Sequence, residues 1–306
     1  MLFIDTDQGV DDALAILMAH AHAGVAGLGI AAGNVGLQRT TANALKLLEW
    51  LGVSTPVFPG APRPLVRHAV DAAFVHGADG FGDTGYLPAR RDAHPEHAAL
   101  ALLRLSHTHA GKLVVVALGP LTNLALALSL DPQLPQRVAR LVVMGGAVTG
   151  RGNTSLAAEF NIGFDPEAAH IVFSRWPRFD LVDWELTLRH ALDFERFERW
   201  LATGDARAAF FAAISRKARA YNRVQQRPGL IAADALAMAV ALHPELVTRA
   251  EERAVVIELD GGLTRGATVV DWQCRGSAAA NARIVMAVEQ TGFERLVAAA
   301  LGARPD

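Results

Sequence analysis

Short apolar runs alternate along this chain with segments whose apolar positions recur at helical spacing, and the alternation predicts an architecture. Leu2–Ile4 reads as a strand. A loop rich in carboxylates follows, then a helix over Ala13–Ala21 opened by the acidic pair Asp11–Asp12, which suits the positive end of a helix. The unit recurs as Val25–Ala31 with Leu37–Leu51, as Leu113–Ala117 with Leu121–Leu130, and as Arg140–Met144 with Pro166–Phe173. Strands that are apolar on both faces belong in a parallel sheet covered by helices, so the predicted class is α/β with a mainly parallel central sheet. Ligands of such sheets bind beyond the carboxyl ends of the strands, and candidate chemistry is sought there. After a strand at Phe179–Val182 the pattern turns helical and more charged through Leu192–Tyr221. It continues with a helix at Asp234–Leu242, a strand pair at Val255–Glu258 and Ala267–Val270, and a terminal helix at Phe293–Leu301. No fixed-period repeat or linker divides the chain, so residues 1–306 are read as a single domain.

Composition narrows the partners. Of 306 residues 51% are apolar and 20% charged, which marks a folded chain rather than a disordered one. Lys plus Arg total 29 against 31 Asp plus Glu, so no global field draws nucleic acid or an anionic membrane, and neither is expected as a partner. Cys274 is the only cysteine; it excludes an intrachain disulfide and a multi-cysteine zinc site and suits a reducing cytoplasm. No basic leader precedes a long apolar segment, so no secretory signal is expected. Ala13–Gln38 and Leu113–Leu130 lack Asp, Glu, Lys and Arg, yet Gly, His, Asn and Pro interrupt them short of a membrane span of ~20 apolar residues.

The strongest chemical signal is Asp5-Thr6-Asp7-Gln8-Gly9-Val10-Asp11-Asp12, with four carboxylates in eight residues between a strand and a helix. Such anions repel unless a cation or shared protons offset them. A helix N-terminus stabilises one or two by ~0.3–1 kcal/mol each, and the remainder points to a hard, oxygen-seeking divalent metal. An EF-hand is out of register. A metal-dependent phosphohydrolase with Asp5 or Asp7 as nucleophile stays open as an alternative, although Gly9 stands where the haloacid-dehalogenase type carries Thr or Val.

Ile4–Ala13, IDTDQGVDDA, resembles the opening signature of the calcium-dependent nucleoside hydrolases of the inosine-uridine-preferring type. Further segments agree in order: Gly33-Asn34 with Thr40, Thr41, Asn43 and Ala44; His76-Gly77 with Asp79-Gly80; Ala117–Asn123; Met144-Gly145-Gly146; Gly152-Asn153; and Ala158–Asn161 leading to Asp165–Ala169. The resemblance runs from residue 4 to about residue 242 and implies that family's fold, one domain with a Rossmann-like sheet. It implies hydrolysis of the N-glycosidic bond of ribonucleosides to free base and ribose, and a homo-oligomer, dimer or tetramer. It further implies Ca²⁺ held by Asp7, Asp12, the carbonyl of Leu118 and Asp234. Asp11, next to Asp12, is the candidate general base. Asn34, Asn153, Glu159 and Asn161 are expected at the ribose, with His76 and Tyr221 as further substrate contacts.

The sequence departs from that family where a His commonly precedes the last calcium-binding Asp and protonates the leaving base. Here the segment is Ile231-Ala232-Ala233-Asp234, so Ala233 stands in that place. A protein that binds a ribosyl ligand with reduced turnover is therefore a second alternative. Tyr221 and His76 are candidate substitutes for the acid, and Phe81 and Trp272 candidate stacking groups. The pairs His20/His22 and His107/His109 diverge on helices and receive no metal role.

Overall fold

The computed structural model describes residues 1–68 and 70–304. Its first half runs β1 (Leu2–Thr6), α1 (Val10–His22), β2 (Val25–Ile30), α2 (Leu37–Leu51), β3 (Val57–Pro59), α3 (Ala73–His76), α4 (Ala98–Thr108), β4 (Leu113–Ala117), α5 (Thr122–Leu130), α6 (Leu134–Arg137) and β5 (Val138–Met144). There follow α7 (Phe160–Phe164), α8 (Pro166–Arg175), β6 (Phe179–Val182), α9 (Trp184–Arg189), β7 (Leu192–Asp193), α10 (Phe194–Leu201), α11 (Ala206–Val224), β8 (Gly229–Leu230) and α12 (Ala233–Leu242). The chain closes with β9 (Val247–Arg253), β10 (Val255–Ile257), β11 (Thr268–Val270), β12 (Ala282–Val288) and α13 (Gln290–Ala300).

Eight strands form one sheet in the order β3-β2-β1-β4-β5-β6-β12-β9, parallel throughout except for β9. Successive strand residues face opposite layers, as the pleat requires. Ile4, Leu28, Val116 and Val142 pack with α1, α12 and α13 on one side, while Phe3, Val115, Leu141 and Leu181 pack with α4, α5 and α8 on the other. α12 is buried nearly all round, wedged against α1, which explains a helix with no polar stripe beyond its first turn. Among the described residues no helix is long and apolar enough to cross a membrane.

Several elements differ from the sequence pattern. The helix expected from Ala13 begins at Val10, so Asp11 and Asp12 lie in its first turn. The helical stretch expected over Leu192–Tyr221 is broken after Leu201: Gly204 takes a positive φ of 81° and Asp205 caps α11 through the N–H of Arg207. β3, α4, β9 and β12 are absent from the expectation. β9, VTRAEER, is a partly exposed edge whose charges discourage further pairing and also hide its strand character. β10 and β11 do pair, antiparallel, as a separate two-stranded sheet.

Candidate active site

β1 sits between β2 and β4, so the chain leaves it toward both halves of the sheet, and a crevice opens at the carboxyl ends where the direction reverses. A cavity of about 300 Å³ lies there. Asp7 leaves β1 into it, Leu118 follows β4, Met144 ends β5, and the N-terminal turns of α1 and α12 supply Asp11 and Asp234.

Asp7, Asp12 and Asp234 are buried and Asp11 is half-buried. One carboxylate oxygen from each of Asp11, Asp12 and Asp234 falls within 4.8 Å of the other two. Asp12 is held on all sides: Oδ2 accepts from Gly9 N at 2.8 Å and Asn34 Nδ2 at 3.1 Å, and Oδ1 accepts from the Thr6 hydroxyl. Asp7 Oδ2 accepts from Asn34 N at 2.7 Å. Gly33 and Gly119 let the backbone close on Asp7, since a Cβ on either would stand 2.1 Å and 2.6 Å from its carboxylate oxygens. The backbone N–H groups of Asp234 and Ala233, at the start of a helix with no side-chain cap of its own, lie close enough to the Asp11 carboxylate to oppose the rise in its pKa.

Burial raises every one of these carboxyl groups. Asp11 and Asp12 are pushed up to about 6, Asp12 also by the charge of Asp11. Asp7 and Asp234 lie well above the usual range, first from burial and then from neighbouring carboxylates. A buried all-oxygen cluster with this mutual repulsion fits a hard divalent cation. The Leu118 carbonyl accepts from Asn161 Nδ2 at 2.7 Å and keeps a second lone pair. The tight group of three contains Asp11 and not Asp7, whereas the sequence-derived ligand set has Asp7 and not Asp11.

Glu159 caps α7, accepting from Asn161 N at 2.9 Å and Ile162 N at 3.1 Å, and also from Gly146 N at 2.9 Å. Burial pushes it up to about 7 against these bonds. Nδ1 of His76 accepts from Val10 N at 3.1 Å, so the neutral ring carries its proton on Nε2. Burial pushes His76 down to about 4, with Asp12 opposing.

The cavity wall contains Asn34, His76, Asn153, Glu159, Asn161 and Tyr221, along with Asp7, Asp11, Leu118 and Asp234; Asp12 lies behind it in the metal-spaced group. Tyr221 meets Phe74 edge-on at 5.8 Å. Other residues in the matching segments are scaffold: Thr122 Oγ1 donates to Asp165 at 2.7 Å, and Asn123 Nδ2 to Asp5 at 3.0 Å. Asp5 is fully buried in the sheet, outside the cavity wall, and cannot serve as the nucleophile of a phosphohydrolase. Phe81 packs against Phe210 and Tyr86, and Trp272 against the second core layer, and neither lines the cavity. Ala233 lines the wall, with only a methyl to offer. Sequence reasoning missed Asn222, Trp184 and Arg227 on the wall. Trp184 stands two residues past the predicted strand Phe179–Val182, where the strand-end rule points; Arg227, in the turn between α11 and β8, carried no signal.

Comparison with known proteins agrees with this geometry. The sequence profile of the family described as inosine-uridine preferring nucleoside hydrolase matches residues 2–295. The non-specific ribonucleoside hydrolase RihC of Salmonella heidelberg (strain SL476) is 33% identical over 306 residues, covering 99% of this chain and 98% of its own. Among solved structures, the plant nucleoside hydrolase PpNRh1 superposes with a TM-score of 0.91 at 30% identity, covering 98% of both chains. An inosine-guanosine nucleoside hydrolase gives 0.90 at 31% identity, covering 99% of this chain and 98% of its own.

Proposed function

From the premise that this chain belongs to the inosine-uridine preferring nucleoside hydrolase family, we propose a division of labour among its cavity residues. The protein is a ribonucleoside hydrolase, an N-glycosidase. The observation that carries the residue assignment is the buried carboxylate cluster at the sheet's switch point, facing a wall of Asn and Glu side chains across one cavity.

Asp7, Asp12, Asp234 and the Leu118 carbonyl would hold Ca²⁺. Bound there, the ion would gather the 2′ and 3′ hydroxyls of the ribose and lower the pKa of a water beside C1′. Asp11 takes the proton of that water. Its carboxylate is half-buried and lines the cavity, whereas Asp12 lies behind the wall and already accepts from three donors. The spacing of Asp11 from Asp12 and Asp234 is consistent with a base that reaches a water held over the same ion. Asn34, Asn153, Glu159 and Asn161 orient the ribose, Glu159 and Asn161 being themselves fixed by the bonds described above. Positive charge that develops on the sugar ring as the base leaves is stabilised by the surrounding carboxylates. His76 and Tyr221 stand on the wall as base contacts.

The same reading takes the whole chain as one working domain in the cytoplasm and as a homo-oligomer. Exposed apolar side chains such as Val66, Val70 and Leu87 support the last point. Its test is a panel of purine and pyrimidine nucleosides assayed for free base, with calcium and after exhaustive chelation. Base release that survives chelation would overturn the metal assignment, and tight calcium-dependent ribose binding without turnover would favour a binding protein.

A further inference from the structure

Four carboxylates, Asp7, Asp11, Glu159 and Asp234, line the cavity, and Arg227 is the only Lys or Arg on its wall among the described residues. Arg227 makes no ion pair among those residues. Its guanidinium carbon lies 5.8 Å from the centroid of the Trp184 ring, within reach of a cation–π contact. The stem is fixed as well: Arg227 N donates to the carbonyl of Asn222 at 3.0 Å, and the Asn222 side chain accepts from Ile231 N at 3.4 Å. The turn carrying Arg227 is thereby tied to the strand that leads into Ala233. A guanidinium has five N–H donors and no acceptor, so a partner that it meets in the cavity must bring acceptors or negative charge.

Glycosidic cleavage creates such a partner. The electron pair of the C1′–N bond passes to the base nitrogen, and at position 233 there is no side chain to protonate it. A fixed cation can stabilise that charge without giving up a proton, the role that preorganised donors play wherever charge develops in a transition state. Resting on the nucleoside hydrolase reading, we propose that Arg227, seated on Trp184, is a catalytic residue that contacts the departing base and stabilises it as an anion. Water oxygen bonds to C1′, its proton passes to Asp11 and then to solvent, and the released base takes a proton from solvent, so the products are ribose and neutral base.

The test compares wild type with Arg227→Gln and Arg227→Lys on inosine, uridine and p-nitrophenyl riboside, with Tm and calcium affinity measured on each. For Arg227→Gln the expected loss of kcat is about 10² to 10³-fold on the two natural nucleosides. On the activated riboside, whose leaving group is a stable anion unaided, the expected loss is less than about tenfold. Arg227→Lys should retain part of the rate, and added guanidinium at millimolar concentration should restore turnover of natural nucleosides to Arg227→Ala. Equal losses on all three substrates, a rise in KM alone, or no loss would each overturn the proposal. Failure of the wild type to cleave even p-nitrophenyl riboside would instead overturn the nucleoside hydrolase reading beneath it.

Discussion

The backbone N–H of Val10 donates to Nδ1 of His76 at 3.1 Å, joining the first turn of α1 to a residue 66 positions further on. The bond fixes the tautomer, and burial opposes a second proton. Imidazole ¹⁵N spectra should therefore show a neutral ring protonated on Nε2, titrating only as the pH approaches about 4. A midpoint near the ordinary 6.5 would mean that the ring swings free of α1.

Stability should depend on pH in a direction set by the carboxyl groups. Asp11, Asp12 and Asp183 are raised to about 6, Glu159 to about 7 and Asp5 to about 8, all chiefly by burial. A raised carboxyl binds its proton more tightly in the native state, so its contribution is full below the unfolded pKa and is lost as pH rises through the folded one. His76 runs the other way, losing its contribution as pH falls from 6.5 toward 4, and is constant above that window. With chelator present, Tm should fall between about pH 6.5 and about pH 8. Added calcium, which favours the ionised ligands, should raise Tm more at pH 8 than at pH 5. An equal calcium effect at both values would place the ion elsewhere.

Asp11 and Asp12 are neighbours with different expected phenotypes. Asp11→Asn keeps an acceptor for the N–H groups of α12, so fold and ribose affinity should persist while kcat falls about 10² to 10⁴-fold. Asp12→Ala removes the partner of Thr6, Gly9 and Asn34 and should abolish calcium binding together with activity. Titration calorimetry on both variants separates the roles, and loss of calcium binding in Asp11→Asn would make Asp11 a ligand.

Gly33→Ala tests the floor of the site without replacing a polar group. Its Cβ would stand 2.1 Å from Asp7 Oδ2, so the carboxylate must move. Overpacking of this kind typically costs about 1–3 kcal/mol. Calcium affinity should drop while far-ultraviolet circular dichroism stays that of wild type, and unchanged affinity would remove Asp7 from the ligand set.

The amino-acid sequence by itself determined the alternation of strands and helices and the carboxylate loop after β1. Apolar runs at strand length and amphipathic runs at helix length are local properties, readable wherever packing on both faces reinforces them. It failed at the charged edge strand β9 and the three-residue β3, where those signals weaken, and it also passed over α4 and β12, whose apolar residues carry the signal. The tertiary structure decided where each carboxylate sits. Asp5 and Asp7 are two residues apart, yet the end of β1 lies between them, so Asp5 stays in the sheet against Asn123 while Asp7 enters the cavity. Asp11 reaches the first turn of α12 only because α1 and α12 pack side by side. Arg227 meets Trp184 only because the turn before β8 comes against the start of α9. Such meetings join residues distant in the chain, and their energy comes from burial and from partners supplied by other elements, which no local window of sequence contains.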